Sequence, residues 1–215
     1  MDNQKLFDNT QELVNLKKIN SFDLFVLSLK RFTLSKQRMK ILGVLFIIIF
    51  LTQKFLIYPT TSAISVIADI AVNINYVIIP IFAVIITGYS IFQALSNGST
   101  LIRLIAVKHE EQLDKFSTYN VYFYGLSIFY LGITIMNLLL LVTFKYLPVD
   151  WCLSFFSKLT NEYIAAVLIS LYLVIILYFL IEIKSFIYNL FQIFTTNAAE
   201  SSIQYLVNDE KEKNE

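Results

Sequence analysis

Four long apolar runs, separated by polar stretches, fill nearly half of the chain: Ile41–Tyr58, a run within Ala63–Leu95, Val121–Leu147 and Tyr163–Ile181. A helix rising 1.5 Å per residue needs about 20 apolar residues to cross a hydrocarbon core ~30 Å thick, and these runs have that scale. The last two contain no acidic residue. They are continuous rather than alternating, which excludes the dyad pattern of a membrane β-barrel and leaves helices to satisfy the backbone inside lipid. The pattern predicts an all-α, polytopic membrane protein with four transmembrane helices.

The polar stretches between the runs carry structure of their own. Leu6, Leu13, Leu16 and Ile19 recur at helical spacing, and Ser21 is placed to cap a second helix bearing Phe25, Leu29 and Phe32. Between spans two and three, Asn97–Gly98 breaks the chain. Ser99 or Thr100 can then cap a helix with Leu101, Leu104, Ile105, Leu113 and Phe116 on its apolar face and Arg103, His109, Glu110, Glu111 and Asp114 on the other. Span four continues past Ile181 into an amphipathic stretch with Phe186, Leu190 and Phe194 one turn apart, and the tail adds Ile203 and Leu206 before a charged end. Apolar faces of this kind outside the membrane need a cover. These five residues are therefore the expected contacts with a partner or a second copy. The resulting organisation is a pair of amphipathic N-terminal helices in 1–40, a four-helix membrane domain in 41–195 with a helical loop at 96–120, and a tail in 196–215.

Charge orients the helices. Residues 1–40 hold eight Lys or Arg, among them Lys30, Arg31, Lys36, Arg38 and Lys40, while the connection around Pro59–Ser62 has none and Pro148–Asn161 only Lys158. Cytoplasmic loops carry the excess of cations, so both termini and the 96–120 loop are expected in the cytoplasm. The cluster from Lys30 to Lys40 would then face the anionic inner surface of the bilayer, with the second amphipathic helix lying on it. The forty-residue polar lead ahead of the first span does not have the form of a signal peptide.

Polar residues inside the spans are costly in lipid and so are candidate sites. They are Lys54 in span one, Asp69, Asn73 and Asn75 in span two, and Asn137 in span three. An antiparallel hairpin starting span two near Ala63 would bring Lys54 and Asp69 to one depth and favour their pairing; a later start, near Tyr76, would leave Asp69 in water. Pro80 removes a backbone bond beside Asn73 and Asn75. Asn137 is expected to hydrogen-bond another helix, within the chain or across an oligomer.

Composition narrows the chemistry further. Apolar residues make up 57% and charged ones 15%, with mean hydropathy +0.65 and a pI near 7.7, which argues against direct binding of nucleic acid. His109 is the sole histidine and Cys152 the sole cysteine. No metal set, catalytic triad or phosphate-binding loop can be assembled, so neither a cofactor nor an enzymatic activity is expected.

Three non-enzymatic readings follow. One is a membrane sensor or scaffold that oligomerises and holds a cytosolic protein subunit on its inner face. Another is a small pore or membrane-perturbing effector lined by Asn73, Asn75 and Asn137. A third is a four-span immunity protein resembling those that block pore-forming colicins. The layout of four spans, both ends inside, a helical lead of forty residues and a fourth span running on past Ile181 resembles the membrane subunits of Kiwa anti-phage defence systems. Heavy use of Ile and Asn, as in an AT-rich gene, agrees with a defence island. The resemblance implies a bacterial inner-membrane homo-oligomer, a tetramer, that senses phage attack among membrane lipids together with a soluble DNA-binding subunit.

Overall fold

Five of the seven described α-helices start where a short polar side chain takes a free backbone N–H. The computed structural model describes residues 3–32, 35–108 and 113–214. Its helices are α1 (Asn3–Lys17), α2 (Ser21–Leu29), α3 (Lys36–Thr52), α4 (Ala63–Leu95), α5 (Gly98–Ala106), α6 (Lys115–Lys145) and α7 (Lys158–Asn214). Ser35, Ser62, Asp114 and Ser157 accept from Arg38, Ser65, Ser117 and Thr160 at the starts of α3, α4, α6 and α7. At α2 the cap is Asn20, which accepts from the Asp23 N–H at 2.8 Å. Ser21, expected there, instead hydrogen-bonds the Tyr124 hydroxyl at 2.7 Å. Among the described residues the only strand-like feature is an isolated bridge between Lys108 and Asp114.

Four segments are long and apolar enough to cross a membrane: Lys36–Ile57, Ala63–Leu95, Lys115–Lys145 and the long C-terminal helix from Lys158. Span two begins at Ala63 and runs unbroken through Pro80 to Leu95. Its buried positions Ile64, Ala71, Ile78, Ile85 and Phe92 repeat every seven residues. In α6 the buried residues Phe116, Tyr119, Phe123, Leu126, Tyr130, Ile133 and Asn137 alternate three and four apart. That is the heptad spacing of helices packed at shallow angles.

The 96–120 segment differs from expectation. α5 ends at Ala106 because Val107 is extended, at φ −99° and ψ 110°. Leu113 and Phe116 thus lie outside it, and α5 opens at Gly98 itself, with φ +48°. Asp114, expected on an exposed polar face, is fully buried, since its carboxylate holds both the N–H and the hydroxyl of Ser117. His109, Glu110 and Glu111 fall outside the described residues.

The chain forms two units, each discontinuous in sequence. The first gathers Met1–Phe32, Ala83–Phe129 and Lys184–Glu215. Its centre is aromatic: Phe92 meets Phe116 at 5.4 Å and Phe123 at 5.1 Å, and Phe123 meets Phe186 at 5.4 Å, edge to face. Two glycines let helices approach closely here. A Cβ on Gly88 would overlap the Phe186 ring, and one on Gly125 would overlap Ser28 of α2. α5 is tied to α1 by Asn9, which donates to the Ile105 carbonyl at 2.7 Å, and to α7 by Thr100, which donates to Asn197 at 2.9 Å.

The second unit comprises Thr33–Phe82 and Tyr130–Ile183. A buried cluster of Tyr58, Val66, Ala166 and Ile169 joins the starts of α4 and α7 to the end of span one.

Candidate functional site

Three of the five polar residues expected inside the spans, Lys54, Asn75 and Asn137, fall in two places, and both involve α7. The first is the couple formed by span one and α7. No residue of α3 is buried, so packing alone fixes this helix weakly. Ion pairs hold both of its ends. Arg38 pairs with Glu182 at 2.5 Å, and Lys54 pairs with Glu162 at 3.7 Å while sitting 3.9 Å over the Tyr163 ring. Sixteen residues separate Arg38 from Lys54, about 24 Å of helix, against the ~30 Å thickness of a hydrocarbon core. Glu182 has 5% of its side chain exposed and Arg38 42%, which gives the carboxylate a partner that also reaches water.

Lys54 therefore does not pair with Asp69. Asp69 is exposed on α4, two residues before Ala71 of the buried heptad stripe and so on the opposite side of the helix. Asn73 is exposed too, and its amide returns to the Asp69 carbonyl at 2.9 Å.

Near Lys54 the helix changes pitch. Gln53–Ile57 forms a single π-helical turn, a rare geometry that concentrates at functional positions. It turns Gln53 inward, where only 2% is exposed and its Oε1 accepts from the Tyr58 hydroxyl at 3.1 Å.

The second place is a node around Asn137, which is fully buried. Its Nδ2 donates to the Ala71 carbonyl at 2.8 Å and to Asn75 Oδ1 at 2.6 Å, and its Oδ1 accepts from the Tyr172 hydroxyl at 2.8 Å. Three helices meet there. The expectation that Asn137 bonds another helix holds within the chain, and both of its amide hydrogens and its oxygen are used, which leaves little for an oligomer contact.

Beside the node lies a cleft of about 1000 Å³, walled by α4, α6, α7 and the 149–153 loop. Tyr172 lines it, as do Tyr58 and Glu162, so cleft, node and ion pair share residues. Asn161 fixes the loop by donating to the carbonyls of Leu153, Phe156 and Ser157 and accepting from the Leu153 N–H.

The expected partner contacts divide. Phe186 is 1% exposed and belongs to the aromatic centre of the first unit, so it is not a free docking residue. Leu190 is half-buried, with its side chain against Gly88. Phe194, Ile203 and Leu206 are exposed. Ile187 and Phe191, outside the five expected contacts, are exposed beside Phe194. Among the basic residues, Lys30, Lys36 and Lys40 are exposed, Arg31 is half-buried and Arg38 is committed to Glu182. Phe25 is half-buried and Phe32 buried against Tyr122, while Phe22, Val26 and Leu29 form the outward stripe of α2.

No protein-family model, curated protein or solved structure matches this chain.

Proposed function

We propose that the protein is a non-enzymatic sensor and scaffold of the bacterial inner membrane, acting in anti-phage defence as a homo-oligomer that holds a cytosolic protein partner. The observation that carries this reading is the exposed face of α7 beyond its membrane span. The helix is 57 residues long, about 85 Å, against the about 30 Å that lipid covers. Along its far half Ile187, Phe191, Phe194, Ala198, Ser201 and Tyr205 follow one another at alternating intervals of four and three residues, all exposed. A helix seam with heptad spacing and Phe, Phe and Ile at successive positions suits a second helix of the same kind. The cations of residues 1–40 support a cytoplasmic position for both termini, and Ile203 with Leu206 offers a further exposed pair for the soluble partner.

Span one supplies the responsive element. With no buried residue in α3 and ion pairs at both ends, its tilt can change at lower cost than that of α4 or α6. The rival pore reading is weakened because Asn75 and Asn137 bond each other instead of standing open.

The test is phage challenge of cells carrying the gene with its chromosomal neighbours. Phe191→Ser with Phe194→Ser should abolish protection while membrane insertion, read by a periplasmic reporter fused after Ser157, is retained. Full protection by this variant, or reporter signal from a fusion at the C-terminus, contradicts the proposal.

A further inference from the structure

The cleft beside Asn137 is open along one side and polar at one end only. Ile70, Leu140, Leu168 and Ile175 stand along its apolar length, whereas Asp150, Lys158 and the Thr60–Ser62 turn mark its other end. From Lys158 to Ile175 the wall of α7 rises about 25 Å, close to the roughly 20–22 Å of one leaflet with its headgroups. Its volume of about 1000 Å³ is at the upper end of the ~300–1000 Å³ that bound small molecules occupy. Charge is placed to match. Glu162 is already neutralised by Lys54, which leaves one cation, Lys158, and one anion, Asp150, both exposed at the polar end and neither in an ion pair among the described residues.

We infer that the cleft binds one glycerophospholipid of the adjoining leaflet, with an amine-bearing zwitterionic headgroup: phosphate toward Lys158, ammonium toward Asp150, and an acyl chain along α7 to Tyr172. The inference rests on the membrane-spanning reading of the four helices and not on a role in defence. Because Tyr172 both lines the cleft and donates to Asn137, occupancy bears directly on the node joining α4, α6 and α7.

The chain carries its own reporter. Trp151 is the single tryptophan and forms part of the cleft wall. The full-length protein in maltoside micelles is titrated with phosphatidylethanolamine brominated along its chains, and in parallel with brominated phosphatidylglycerol. Quenching of Trp151 should saturate at one lipid per chain, tighter for phosphatidylethanolamine. Ala165→Phe, which fills the cleft, should weaken binding on the order of tenfold. Asp150→Asn, a surface change that keeps the fold testable, should reduce the headgroup preference about two- to fivefold. Quenching that rises linearly, is equal for both lipids and ignores Asp150→Asn overturns the proposal. So does a change of oligomeric mass in Ala165→Phe, since a second copy would then occupy the cleft.

Discussion

Lys54 Nζ stands 3.7 Å from Glu162 and 3.9 Å above the Tyr163 ring, so the cation of the first span pairs with the last helix rather than with its neighbour in sequence. Both side chains are largely removed from water, at 13% and 27% exposed. In a double-mutant cycle for unfolding from detergent, Lys54→Ala and Glu162→Ala should show a coupling of about 1 kcal/mol. The same cycle between Lys54 and Asp69 should show none. Equal coupling in both would restore the hairpin pair.

At the other end of the couple, Glu182 depends on Arg38 for compensation of a buried charge. Arg38→Ala should destabilise by about 2–3 kcal/mol, and Arg38→Ala with Glu182→Gln by less, because the second change removes the buried negative charge. Unfolding curves for the two variants, measured side by side, check the order.

Asn137 gives a different signature. Hydrogen bonds between membrane helices contribute about 0.6 kcal/mol each on average, and Asn137 makes three. Asn137→Leu should lower stability by about 1–2 kcal/mol with no change in oligomeric mass. Dissociation of the oligomer by this substitution would place the amide at an interface instead.

Gly88 and Phe186 form one contact and should fail together. Phe186→Ala is expected to cost about 3–5 kcal/mol as an internal cavity, and Gly88→Leu to destabilise by forcing the same ring aside. Thermal unfolding reads both. If either variant keeps wild-type stability but loses its partner, Phe186 is a docking residue after all.

The four spans were legible in the sequence because lipid imposes a length and a composition that few other structures share. The buried stripes of α4 and α6, Ile64–Ala71–Ile78 and Phe116–Tyr119–Phe123, were not legible, because hydrophobic runs without polar neighbours hide their own buried face. Pairing was not legible. Lys54 has acidic candidates on two helices, and the choice of Glu162 depends on which helix stands beside span one, a tertiary fact. Phe186 and Phe194 differ in the same way. They sit two turns apart on one amphipathic helix, but Gly88 admits the first into the chain and nothing covers the second. The π turn at Gln53–Ile57 was signalled only by polar Thr52, Gln53 and Lys54 interrupting an apolar span.

The central claim is that the exposed seam of α7 joins copies of the chain. Its most direct test is the mass of the purified complex, by native mass spectrometry, for the wild type and for Ile187→Ser, Phe191→Ser, Phe194→Ser combined. The account predicts an oligomer for the wild type and a monomer of 24.9 kDa for the triple variant, with helical content preserved. A wild-type monomer, or an oligomer unchanged by the three substitutions, would contradict it.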